Sequence, residues 1–71
     1  MNRYLVIIEP TASGFSAYSP DLPGCVATGA TRPAVEREIQ EAIEFHLDGM
    51  RIEGIPIPAP QSEAAFCEVA A

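Results

Sequence analysis

Residues 18–25 of the chain read YSPDLPGC, and this stretch decides how the chain folds. It separates two short apolar runs from a later amphipathic segment. Pro20 and Pro23 each hold φ near about −65° and disfavour the helical conformation for the residue before them, while Gly24 is free to adopt a positive φ. The sequence therefore predicts a rigid turn, which either sets the geometry of the neighbouring strands or is itself a contact surface.

Length and charge limit the classes of protein to consider. The chain has 71 residues, so we expect one domain, residues 1–71, and a domain of this size is marginally stable unless it oligomerises. Ten acidic residues against four basic ones argue against direct nucleic-acid binding, and they favour either a basic protein partner or simple solubility. No apolar run approaches the roughly 20 residues of a membrane span and no signal peptide is visible, so we expect a cytoplasmic protein.

Three strands are predicted before any helix. Residues 3–9 (RYLVIIE) are apolar at both alternating sets of positions, which is typical of a central strand buried on both faces. Residues 15–19 (FSAYS) alternate and are expected to form a hairpin with the first strand through the Ser13-Gly14 turn. Residues 25–29 (CVATG) follow as a short third strand, so the three strands form an antiparallel meander.

A single helix is predicted after the third strand. Thr31 is a suitable N-cap, and Pro33 occupies the first turn, where its missing N–H does no harm. The opposite end is predicted at Gly54, although Gly49 inside the pattern also permits an earlier end. Apolar residues recur on one face with helical spacing, at Val35, Ile39, Ala42, Ile43, His46, Leu47 and Met50.

The chain after the helix predicts the rest of the sheet. Residues 55–60 (IPIPAP) indicate an extended connector, and residues 64–70 (AAFCEVA) indicate a fourth strand. A right-handed crossover would bring this strand beside the first and parallel to it. The predicted fold is therefore α+β, with element order β-β-β-α-β and a four-stranded mixed sheet of order 3-2-1-4 that carries the helix on one face.

This topology leaves one apolar face of the sheet uncovered. Monomers rarely expose such a patch, so a second copy of the chain is the expected cover. We predict a dimer or tetramer. The predicted interface residues are Tyr4, Val6, Ile8, Phe15 and Tyr18.

Two motifs in combination carry a resemblance to the HicB-like antitoxin family, the turn at 20–25 (PDLPGC) and the connector at 54–60 (GIPIPAP). Further matching segments lie in the same order at residues 4–9, 14–18, 29–31 and 41–47. The resemblance implies a degraded RNase H-like fold, oligomers, and binding to HicA, a small basic toxin that cleaves mRNA. Many members add a C-terminal DNA-binding domain, whereas this chain ends after its last predicted strand. We therefore expect a short form without that domain.

Three functions remain open at this point. The first is an antitoxin-like module that covers the catalytic surface of a small basic toxin, and the second is an orphan homo-oligomeric structural or regulatory protein without a toxin. The third, a metal-dependent nuclease, would need carboxylates to converge. The candidate carboxylates are Glu9, Glu41 or Glu44, and Glu68. Glu9 lies at the end of its strand, and Glu41 and Glu44 face solvent on the helix. We therefore expect that the protein is not an enzyme and binds no metal or cofactor. The predicted partner-binding residues are Asp21, Leu22, Glu38, Glu41, Glu44 and Asp48.

Four side chains are given structural interpretations instead of catalytic ones. His46 borders the apolar helix face with no Ser or Cys nearby in sequence, so it is interpreted as structural. Cys25 and Cys67 are predicted to be buried, reduced thiols on opposite sheet edges, about 14 Å apart and too distant for a disulfide. Asp21 is interpreted as a cap on backbone N–H groups of its own turn, with a partner contact as the alternative.

Overall fold

A computed structural model describes residues 2–70 and places three strands before one long helix. The strands are β1 (Ile7–Thr11), β2 (Gly14–Tyr18) and β3 (Val26–Gly29), and the helix α1 covers Arg32–Ile52. The strands form an antiparallel sheet of order β1-β2-β3. The helix packs across β3 and β2, which leaves the helix-facing side of β1 largely uncovered. The predicted meander and single helix are thus confirmed.

The core lies between the helix and the β2–β3 half of the sheet. Its fully buried side chains are Ala17, Leu22, Cys25, Val35 and Ile39. The turn delivers two of them, because Leu22 N–H donates to Ser19 O over 3.1 Å and Cys25 N–H donates to Leu22 O over 3.1 Å. These bonds show that the segment forms a hydrogen-bonded turn, and the Leu22 side chain within it is buried.

Both ends of α1 follow the predicted chemistry. The Thr31 hydroxyl accepts from the N–H of Ala34 at 3.2 Å, as an N-cap does. At the other end Gly54 has φ +70°, its N–H donates to Arg51 O over 3.2 Å, and the N–H of Ile55 donates to Met50 O over 2.9 Å. This pair of bonds is the Schellman arrangement, so the helix runs through Gly49 and stops at the predicted glycine.

The predicted fourth strand is wrong for this chain. Residues 55–70 contain no strand, so the sheet has three strands and the four-stranded mixed sheet of order 3-2-1-4, with its fuller RNase H-like topology, is not formed within the chain. Residues 63–70 instead extend away from the body. The radius of gyration is 13.9 Å, against about 11 Å for a compact chain of this length. Periodicity identified a segment suited to pairing, but it carries no information about which strand the segment pairs with.

The first strand is also placed differently from the prediction. β1 begins at Ile7 and continues through Pro10 and Thr11, and it is an edge strand instead of a central one. Proline is tolerated in a strand when its missing N–H points away from the neighbour, which is possible at an edge. Apolar residues on both faces therefore do not mark a central position here.

The two cysteines differ in environment. Cys25 is buried in the core and Cys67 is exposed on the extended segment, and neither forms a disulfide. The prediction of buried thiols is confirmed for Cys25 and wrong for Cys67, because Cys67 was placed on a strand that the chain's own sheet does not contain. Within residues 2–70, no helix is long and apolar enough to cross a membrane.

Candidate protein-binding surfaces

One line of side chains runs along the solvent side of the helix. Glu38, Glu41, Phe45, Asp48 and Ile52 are spaced alternately by three and four residues, so they form a single row, here called the outer stripe. Phe45 is 82% exposed and Ile52 is 85% exposed, although both are large apolar residues. Arg51 Nη1 donates to Asp48 Oδ1 over 2.8 Å, and the other two acids of the stripe are exposed.

A shallow groove adjoins the outer stripe where the proline turn meets the C-terminal half of α1. This turn groove has a volume of about 540 Å³, and its lining includes Cys25, Val26, Phe45, His46 and Met50. Val26 is 67% exposed at the unpaired edge of β3. Phe45 thus belongs to both features, so the outer stripe and the turn groove adjoin at this exposed aromatic side chain.

Cys25 and His46 line the same groove, a proximity that their separation in sequence did not reveal. Burial raises the pKa of the Cys25 thiol, which opposes the thiolate that nucleophilic chemistry needs. The pair therefore lacks the electrostatic activation of a Cys–His nucleophile. The interpretation of His46 as a structural residue stays a prediction.

Asp21 binds a segment that lies forty residues further along the chain. Its carboxylate accepts from the N–H of Ser62 at 3.0 Å, the hydroxyl of Ser62 at 2.8 Å and the N–H of Gln61 at 3.1 Å. The backbone hydrogen bond from Ser62, followed by that residue's hydroxyl, lowers the pKa of Asp21. The carboxylate does cap backbone N–H groups, but they belong to Gln61 and Ser62, just after the connector, and not to the turn as predicted.

A second groove lies between β1 and the helix. It has a volume of about 900 Å³ and is here called the β1 groove. It exists because α1 covers β2 and β3 but not β1. Its apolar wall and floor residues are Tyr4, Val6, Ile8, Ile39, Ile43 and Leu47, and its charged residues are Arg32, Glu36, Glu44 and Arg51.

The predicted partner-binding residues do not form one surface. Glu38, Glu41 and Asp48 share the outer stripe, whereas Glu44 lines the β1 groove. Leu22 is only 1% exposed, so its side chain packs in the core, and the carboxylate of Asp21 is occupied by hydrogen bonds from Gln61 and Ser62. The sequence prediction missed Phe45 and Ile52, because only the exposure of these apolar residues marks them.

The predicted interface residues fall on two faces of the sheet. Tyr4, Val6, Ile8 and Phe15 pack around the core on the helix side. Tyr18 lies on the opposite face and is exposed, next to its strand partners Ile7 and Val26. Their role in self-association stays a prediction.

The carboxylates considered for a nuclease are dispersed in the described part of the chain. Glu68 lies on the extended segment, and no group of three or more His, Cys, Asp or Glu side chains within residues 2–70 could hold a metal ion.

Comparison with known proteins identifies the family. The family described as HicB-like antitoxin of bacterial toxin–antitoxin system matches residues 4–69. The chain belongs to the HicB-like antitoxin family, and the resemblance inferred from its two motifs is confirmed.

Two relatives illustrate the similarity. A chain of the solved structure "HicA3 and HicB3 toxin-antitoxin complex" has a TM-score of 0.73 and 33% identity, over 84% of this chain and 70% of that chain. An uncharacterized 14.9 kDa protein in the rep-hol intergenic region of Haemophilus phage HP1 (strain HP1c1) is 38% identical over 47 residues. That match covers 66% of this chain and 35% of the phage protein, so it spans about a third of that relative's length.

Proposed function

We propose that this chain is an antitoxin that binds a small, basic, HicA-like mRNA-cleaving toxin and neutralises it by covering its catalytic surface. Membership of the HicB-like family supports this function, as does the similarity to a chain from a HicA3–HicB3 complex. The antitoxin acts as a single cytoplasmic domain by steric and electrostatic blockade, and it performs no catalysis.

We place the toxin-binding site on the outer stripe and the adjoining turn groove. The observation that carries this assignment is Phe45, a phenylalanine 82% exposed in a row that also contains Glu38, Glu41 and Asp48. Exposed aromatic side chains are common anchors of protein interfaces, and surrounding acidic groups attract a basic partner and speed its association. Leu22, which is buried, has no direct part in this site.

The test uses any small basic protein that a reading frame adjacent to the gene for this chain encodes. Its RNA cleavage is measured with and without the chain, and the dissociation constant is measured by titration calorimetry. Phe45→Ala is expected to weaken binding by about 2 kcal/mol, or roughly 30-fold, because it removes an anchor. Phe66→Ala is the matched control, since Phe66 is equally aromatic and fully exposed but lies on the extended segment.

The electrostatic part of the proposal has its own test. The double variant Glu38→Lys, Glu41→Lys is expected to slow association and to reduce the dependence of the association rate on salt. Glu9→Lys is the control, because it is exposed on β1 and lies outside the outer stripe. The binding site would be contradicted if the stripe variants and their controls restored RNA cleavage by the toxin equally. It would also be contradicted if none of the variants restored cleavage.

A homo-oligomer without a toxin is the second candidate function. It is favoured by apolar side chains on the extended segment that make no contact with the core, above all Phe66 and Val69. If no basic protein from a neighbouring reading frame binds the chain, this second function gains support.

A further inference from the structure

The last described segment of the chain is built like a strand but has no partner in its own fold. Residues 63–70, here called the arm, are exposed throughout, with Phe66 100% exposed and Val69 79% exposed. The arm projects from a body whose longest dimension, arm included, is 48 Å. A phenylalanine and a valine exposed close together on one extended segment are suited to contact with another surface.

The body offers an open backbone edge, formed by the outer side of β1 and by the segment that leads into it. Residues 2–6 make no backbone hydrogen bond to any other segment of the described chain, and the outer side of β1 pairs with no strand in residues 2–70. An exposed edge of this kind is a template for another extended segment. Eight arm residues extend about 26 Å and residues 2–8 about 23 Å, so the two segments match in length.

The β1 groove lies directly below this open edge. Its apolar residues Val6, Ile8, Ile43 and Leu47 are only partly buried, although they pack against the core. A segment added to the edge of β1 would place every second side chain over this groove. The open edge and the groove therefore form one acceptor surface.

The point from which the arm departs is held in place. The Asp21 carboxylate binds the backbone and hydroxyl of Ser62, and the Tyr4 hydroxyl donates to the carbonyl of Pro58. These contacts fix residues 58–62 against the body just before the arm begins. The arm thus leaves from a defined place, which suits a specific contact with another molecule.

We propose that the arm of one copy lies along the open β1 edge of a second copy and fills its β1 groove. The second copy reciprocates, so the two acceptor surfaces are related by a two-fold axis and the assembly closes. The arm thus pairs with a different molecule. The fourth strand predicted from the sequence was instead expected to pair within its own chain.

The side-chain pattern of the arm fits this acceptor surface. Successive residues of an extended segment alternate between faces, so Ala65, Cys67 and Val69 share one face while Phe66 and Glu68 share the other. The first face is small, apolar and uncharged, and we assign it to the groove. Phe66 then lies on the opposite side of the sheet, where Ile7 and Tyr18 are exposed or half-buried.

A second copy fits this groove better than the basic toxin does. The groove carries charges of both signs, and its Arg32 already pairs with Glu36 over 3.0 Å. A basic partner finds more unopposed negative charge on the outer stripe. The arm presents an apolar face to the apolar residues of the groove. Because arm and groove belong to the same chain, every copy that has a groove also supplies an arm.

Sedimentation equilibrium of the full chain tests the exchange. The wild type is expected to have the mass of two chains, or a multiple of two, at micromolar concentration. Phe66→Ala is expected to weaken the dimer at least about tenfold for each exchanged arm, hence about a hundredfold when both arms carry it. Phe66 touches nothing in its own chain's core, so the substitution leaves the monomer fold intact.

Phe45→Ala is the matched control, because it removes the same side chain from an exposed position on the helix that the exchanged arm does not contact. It is expected to leave the dimer unchanged and to weaken toxin binding, the reverse of Phe66→Ala. The two proposals can therefore fail separately. A monomeric wild type, or equal effects of the two variants on the dimer, would overturn the exchange.

A disulfide distinguishes exchange between copies from contact within one chain. Ile43→Cys places a thiol in the β1 groove, within reach of Cys67 on an arm that occupies it. Mild oxidation is expected to give a dimer on a non-reducing gel, and the dimer should disappear when Cys67→Ser is added. An internal disulfide without a dimer band would refute the proposal, and so would the absence of any Cys67-dependent disulfide.

Discussion

Leu22 provides the sharpest test of the architecture, because its position in the turn admits two opposite roles. If the side chain is a partner contact, its truncation weakens binding and leaves stability unchanged. The structure buries it to 1% exposure between sheet and helix, so Leu22→Ala is expected to remove core packing. Truncation of a buried leucine to alanine costs about 2–5 kcal/mol of unfolding free energy.

The expected change in melting temperature follows from the size of the chain. At about 2.1 cal/mol/K per residue, 71 residues have an unfolding entropy of about 150 cal/mol/K. A loss of about 3 kcal/mol therefore lowers the melting temperature by about 20 °C. A domain of this length has only about 4–11 kcal/mol of stability in total, so the variant is close to unfolding at ambient temperature.

The assay is thermal unfolding followed by circular dichroism, with wild type and variant at one protein concentration because self-association also stabilises the folded state. Phe45→Ala is the control and is expected to shift the free energy of unfolding by less than about 0.5 kcal/mol, since the side chain is exposed. A melting temperature for Leu22→Ala within a few degrees of wild type would refute the burial of this residue.

Three further predictions address other parts of the fold. Gly29→Ala is expected to lower the free energy of unfolding in urea by about 1–3 kcal/mol, because the new Cβ would lie 2.6 Å from the backbone nitrogen of Val35. Gly49→Ala, with open space around the new Cβ, is expected to raise that free energy by about 0.5–1 kcal/mol. Thr31→Ala is expected to lose about 1 kcal/mol in the same assay through the lost N-cap. Asp21→Asn is expected to lower the melting temperature at pH 7, and the difference from wild type should vanish on acidification.

The sign of the pH effect follows from the direction of the shift. The pKa of Asp21 is lowered in the folded chain, so ionised Asp21 stabilises the fold above its unfolded pKa of about 4. That contribution disappears as the pH falls through the lowered folded pKa. A difference between wild type and variant that grew below pH 4 would contradict the carboxylate's hydrogen bonds to Ser62. Equal urea stabilities of the two glycine variants would likewise contradict the close approach of Gly29 to the helix.

Local features were predictable because local chemistry determines them. The Thr31 cap, the Gly54 stop and the strand–turn–strand order depend on residues a few positions apart, and the structure confirms them. The family could also be recognised from the sequence, because the proline turn and the proline connector are each a contiguous motif. The candidate site was predicted in part, since the acids of the outer stripe follow from helical periodicity while the exposure of Phe45 does not.

The sequence alone determined the three-stranded meander followed by one helix, where that helix begins and ends, and which family the chain belongs to. Only the tertiary structure decided that Leu22 packs inward, that β1 is an edge strand and that residues 63–70 leave the body. The physical reason is the range of the interactions. Capping and periodicity act within a few residues, whereas a strand's partner and a side chain's burial depend on surfaces brought together from distant parts of the chain.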